Sequence, residues 1–133
     1  MSRSLMAAFA GTLSAIIIIM FVEMLGHQAY PLPKDIDIND TVAMQKHIDN
    51  LPMTAFLIVL AGWGLGTFTG TWLAVRIAGK DNGRPALLVG LILLIAGITN
   101  MIMLPHPGWF WFLGIAVFPL ATVFGMRTAA QMG

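Results

Sequence analysis

Four apolar stretches, each long enough to cross a bilayer, fill most of the chain, and their one long interruption is the segment from Gly26 to Leu51. The stretches run from about Leu5 to Leu25, Met53 to Ile77, Pro85 to Leu104 and Trp109 to Met126. Each approaches or exceeds the ~20 residues that carry a helix across ~30 Å of hydrocarbon. Backbone amides find no partners in lipid, so such segments must be helices or a closed barrel. The alternating strands of about ten residues that a barrel would need are absent. Even the β-branched run Ile16 to Ile19 is read as helix, because hydrocarbon offers its backbone nothing better.

Composition agrees. Hydrophobic residues make up 58% of the 133 and charged residues 10%, against about 25% charged in a soluble domain. The expected fold is therefore all-α: one domain, 1–133, forming a four-helix transmembrane bundle with a short extracytoplasmic surface helix. The few Lys and Arg argue against nucleic acid as a partner. The absence of cysteine excludes disulfides, iron–sulfur clusters and thiol chemistry within the chain. The run after Arg3 exceeds a usual signal-peptide core and ends on Gly26-His27-Gln28-Ala29, a poor cleavage site, so it is read as an uncleaved first span.

Charge sets the expected orientation. Arg3, Arg76, Lys80, Arg84 and Arg127 fall on one side of the four spans. Lys34 and Lys46 fall on the other, with Asp35, Asp37, Asp40 and Asp49. The positive-inside rule then puts both termini in the cytoplasm of a bacterial inner membrane and the 26–52 loop outside. Trp109, Phe110, Trp111, Phe112 and Tyr30 fit the outer interface. Asp81-Asn82-Gly83 reads as a turn before Pro85, and Leu104 to Gly108, with two prolines, as a tight outer hairpin. In the outer loop, Asn39 or Asp40 caps a short helix to about Asn50. Its apolar face, Met44, Ile48 and Leu51, is expected against the spans or on the membrane surface.

The second span carries Gly62, Gly66 and Gly70 at four-residue spacing, continued by Ala74 and Ala78. Small residues at this spacing let another helix approach closely, so van der Waals contact drives association where lipid removes the hydrophobic effect. Thr67 and Thr71 flank the stripe, and Ala7, Gly11 and Ala15 form a weaker one on the first span. The stripe suits either a close pair of spans one and two or a second copy or another protein. The string Gly62-Trp63-Gly64-Leu65-Gly66 is no nucleotide loop, because it lies inside a span with no preceding strand and no lysine for phosphate.

Glu23 is the only acidic residue inside a span, and burying it in lipid costs about 2–3 kcal/mol, so it should have a partner. His27 follows at i+4 on the same face. Asn100 lies at similar depth in span three, His106 occupies the outer turn, and Gln28 and His47 lie at the same end. If spans one and three touch, Glu23, His27, Asn100 and His106 meet. Three readings stay open. The cluster is structural, with Glu23 bonded to His27 or Asn100. Or it is a proton or small-solute site in which His27 relays protons. Or it is a metal site, with Glu23, His27 and His106 as zinc-type ligands or Met20, Met24, Met101 and Met103 serving copper(I). No catalytic set is visible: Ser14 lacks a base and reads as a packing residue, and Pro119 reads as a kink.

The string Val22-Glu23-Met24-Leu25-Gly26-His27-Gln28-Ala29-Tyr30-Pro31-Leu32-Pro33, with Pro-His-Pro-Gly-Trp before the last span, resembles a family of small bacterial four-span membrane proteins of uncharacterised function. The resemblance covers nearly the full chain. It implies no activity and no cofactor, only that the Glu23/His27 and His106 segments are family signatures. The sequence thus leads first to a non-enzymatic accessory or assembly subunit that packs through its glycine face, as a homo-oligomer or within a larger membrane complex. A small oligomeric proton-coupled transporter or channel using Glu23 and His27 comes second, and a metal-handling membrane protein third.

Overall fold

The computed structural model describes residues 2–132. It is all-helical, with four helices long and apolar enough to cross a membrane, the architecture of a multi-pass membrane protein: α1 (Arg3–Ala29), α3 (Met53–Ala78), α4 (Arg84–Met103) and α5 (Gly108–Gln131), plus the short α2 (Thr41–Asp49). The Ser2 hydroxyl caps α1 by accepting from the Leu5 amide at 3.1 Å. Asp40 caps α2 by accepting from Val42 and Ala43, each at 3.1 Å. α3 ends at Gly79, whose φ of 105° is open to a residue without Cβ. Pro85 occupies the first turn of α4, and Pro105 and Pro107 separate α4 from α5.

α1 and α5 outrun their apolar stretches, to Ala29 and Gln131. Hydrophobicity marks where a chain meets hydrocarbon, whereas a helix continues until something breaks it. After α1 the first breaker is Pro31. His27, placed in the outer loop by hydropathy, is therefore on the last turn of α1.

α3 is the central helix. It packs most extensively on α1, then on α5 and α4, while α4 also touches α1 and α5, and α1 and α5 stay apart. The glycine stripe explains the first pairing. Gly62, Gly66, Gly70 and Ala74 are buried. A Cβ on Gly70 would lie 2.5 Å from the Gly11 carbonyl oxygen, and one on Gly11 would lie 2.5 Å from the Gly70 carbonyl oxygen. One on Gly62 would meet Val22 and one on Gly66 would meet Ile19 and the Ala15 carbonyl. The two small-residue faces thus mate inside the chain: of the two uses the sequence leaves open for the stripe, the structure shows the close pairing of spans one and two, with α1 on the glycine face of α3.

The opposite side of α3 and the α4–α5 pair use small residues in the same way. Gly125 receives Thr71, Gly90 receives Thr122, Gly97 receives Phe118 and Gly114 receives Met101 and Trp63. The hydroxyls of Thr71 and Thr122 donate back to carbonyls within their own helices, at 2.8 Å to Thr67 and 2.7 Å to Phe118. Ser14 does likewise to Gly11 at 2.9 Å. The fully buried Thr67 hydroxyl has no such partner. An unsatisfied buried hydroxyl is costly, and valine has nearly its shape. Thr67→Val is expected to leave stability unchanged or raise it by up to about 1 kcal/mol; a shift of the unfolding midpoint in mild detergent measures it, and a marked loss would show that the hydroxyl has a partner.

α2 differs from the rest. Its Met44 and Ile48 are buried, so its apolar face turns inward as the spacing predicts. Yet its backbone comes within 8 Å of none of the long helices. It forms a roof held off by its side chains, and the space beneath it remains open.

Candidate functional site

That space is a cavity of about 320 Å³ beneath α2. Glu23 and His27 of α1, Asn100 of α4 and His106 of the α4–α5 turn all line it. α1 and α4 are neighbours, the condition on which their meeting depended. Tyr30 and His47 line it too, so all three histidines of the chain border one space. Its floor and walls include the apolar Met44, Ile48, Ile58 and Val59. Gln28, expected at this end, is exposed and outside the cavity wall.

Glu23 is half-buried, and its partner is Trp63, not His27 or Asn100. The indole Nε1–H of Trp63 on α3 donates to Glu23 Oε1 at 3.2 Å. Trp63 itself is 3% exposed. It stands in a column of aromatic rings, stacked on Phe118 at 5.2 Å and edge-on to Phe110 at 5.4 Å. Phe56 and Trp109 continue the column, with their ring centres 5.6 Å apart. A signal for this bond exists in the sequence: an indole N–H deep in a span needs an acceptor, and Glu23 is the only carboxylate at span depth. The rule of close spacing along one helix favoured His27 instead, and it misled because the bond crosses between helices.

His106 lies against Phe110, with ring centres 4.7 Å apart and planes 25° apart. Its Nδ1 is 2.8 Å from the Leu104 carbonyl oxygen. That oxygen can only accept, so Nδ1 carries a hydrogen and the neutral ring keeps Nε2 free of one. Burial disfavours the imidazolium and holds the His106 pKa below its usual 6.5, with the backbone hydrogen bonds of Leu104 and Met101 opposing the shift. Between the lowered value and 6.5 the unfolded chain binds a proton that the folded chain does not. Stability therefore rises with pH through that window, levels off above 6.5 and falls on acidification. In an NMR titration His106 is expected to have a midpoint below 6.5, and His106→Phe to flatten this part of the stability profile. A midpoint at or above 6.5 would contradict this account of the turn.

Metal ligation finds little support. Among the described residues no three His, Asp or Glu side chains converge closely enough to hold a metal ion. Glu23, His27 and His106 share the cavity wall without forming a ligand set. The methionines also disperse: Met101 is buried beside Gly114, while Met20, Met24 and Met103 are exposed.

A second cavity, of about 180 Å³, meets the first at Glu23 and Asn100, which line both. It runs along the α1–α4 seam, with Ile16, Ile19 and Met20 on one wall and Leu93, Ala96 and Gly97 on the other. Trp63 and Phe118 close its back. Compared with known protein families, curated proteins and solved structures, the chain matches none.

Proposed function

We propose that this chain is a non-enzymatic membrane protein that binds a small cationic solute at Glu23 and moves it in exchange for protons. The observation that carries the reading is the convergence of Glu23, His27, Asn100 and His106 on one cavity at the α2 end. A volume of about 320 Å³ is in the range of small-molecule sites. Glu23 is the only carboxylate among the described residues bordering it, and imidazole nitrogens, an amide oxygen and a carboxylate are acceptors suited to an ammonium donor. A carboxylate that gives up its proton to receive a cation, with His27 as the relay toward water, is the simplest coupling these residues support.

The same reading places the protein in a bacterial inner membrane with both termini cytoplasmic and the α2 end outward. Arg3, Arg76, Lys80, Arg84 and Arg127 at the opposite end support it. With the glycine face filled by α1, an accessory role would need another surface for its partner.

The test uses purified protein in liposomes and radiolabelled methylammonium. Saturable uptake driven by an imposed pH gradient is expected. Glu23→Gln should reduce it at least tenfold, because glutamine keeps an oxygen for the Trp63 N–H and removes only the charge. Absence of saturable binding and uptake in the wild type would end this reading. Recovery of the protein from native membranes only as a stoichiometric part of a larger complex, with no uptake of its own, would restore the accessory one.

A further inference from the structure

The two cavities differ in character, and their order along α1 is informative. The one beneath α2 is bordered by imidazoles, a phenol, an amide and a carboxylate. The one along the α1–α4 seam has apolar walls apart from Glu23 and Asn100 at its end. A polar space and an apolar strip therefore meet at the only carboxylate inside a span. Ile16, Met20 and Ala96, on the lips of the strip, are exposed on the surface of the bundle that faces hydrocarbon. The strip thus opens sideways between α1 and α4.

Resting on the reading of the Glu23 site as cation-binding, we propose that its ligand is a single-chain amphiphile with an ammonium head, which enters from the bilayer between α1 and α4, seats its head at Glu23 and Asn100, and lays its chain in the seam. The Trp63 N–H engages Oε1 of Glu23, and a carboxylate has about four acceptor positions, so an ammonium can be held without breaking that bond. The chain contacts Ile19, Leu93 and Phe118 in place of lipid tails. The seam, at about 180 Å³, is a single narrow strip and suits one chain rather than two.

The experiment uses the full chain in phosphatidylcholine nanodiscs with dodecylammonium bearing a photoreactive diazirine near the chain end, and methylammonium as a probe of the head alone. Labelled peptides are mapped by mass spectrometry. Labels are expected on Ile16, Met20, Leu93 or Ala96. Excess methylammonium should suppress them at least fivefold and Glu23→Gln at least tenfold. Ala96→Trp, which fills the strip from an exposed position, should abolish them while methylammonium binding persists. The apolar groove of Leu91, Pro119 and Val123 on the α4–α5 side serves as the control, because labelling there reports partitioning into lipid. Equal labelling of the two grooves, or seam labelling unchanged by Ala96→Trp, would overturn the amphiphile while leaving the cation site standing if methylammonium still binds through Glu23. Loss of methylammonium binding as well would remove both.

Discussion

Gly70→Ala is expected to destabilise the fold by about 3 kcal/mol, near the top of the usual range for overpacking, or more. The added Cβ would lie 2.5 Å from the Gly11 carbonyl oxygen and 2.9 Å from the Ala15 Cβ. The first obstacle is a backbone carbonyl, so no rotamer change relieves it and α1 must move bodily. Gly64→Ala is the contrast. Its Cβ meets only a methyl of Val117 at 3.2 Å, a side chain that can give, and alanine is the better helix former by about 1 kcal/mol. That variant should be neutral or slightly stabilising. Unfolding of both in mixed micelles against increasing dodecyl sulfate measures the difference. If Gly70→Ala instead kept full monomer stability and lost only association with another protein, the stripe would be a docking face after all.

Trp63→Ala carries the second large effect, a loss of about 3–5 kcal/mol, as for other large-to-small core changes. It removes the ring stacked on Phe118 and set edge-on to Phe110, and also the N–H from which Glu23 accepts. Trp63→Phe separates the two contributions by keeping most of the ring. It should cost about 1–3 kcal/mol, chiefly the penalty of a half-buried carboxylate without its donor. Against a Glu23→Leu background the same change should cost clearly less, and the difference between the two costs is the coupling of the pair. Additive losses in that cycle would mean that the 3.2 Å bond contributes nothing to the fold.

The fold was legible in the sequence because lipid imposes one backbone solution on long apolar runs, and because proline, glycine and aspartate mark the breaks. Asp40 caps α2, and Pro105 and Pro107 end α4, as their chemistry dictates. Helix ends were less legible. Ala29 and Gln131 lie beyond the apolar limit, since hydropathy reports solvent and not hydrogen bonding. The site was legible in its members: Glu23, His27, Asn100 and His106 share one wall. Its wiring was not, because the Trp63 bond joins residues 40 positions apart and no local periodicity encodes it. The internal use of the glycine stripe was also undetermined, because two smooth faces mate equally well within one chain or between two.

The distribution of ties along the bundle makes it mechanically uneven. At the end bearing the chain termini, Arg3 bonds the Ile77 carbonyl and Asn82 donates to Ser4 at 3.1 Å. There too Arg76 holds the last turn of α5 through the Met132 carbonyl, and Gly11 and Gly70 touch backbone to backbone. At the other end α2 spans a gap, and cavities lie beneath it and along the α1–α4 seam. Such a body is stiff at its base and compliant at its mouth. Its softest deformation is a splaying of the mouth about a fixed base, like tongs held at the joint, with the α1–α4 seam as the gap that widens.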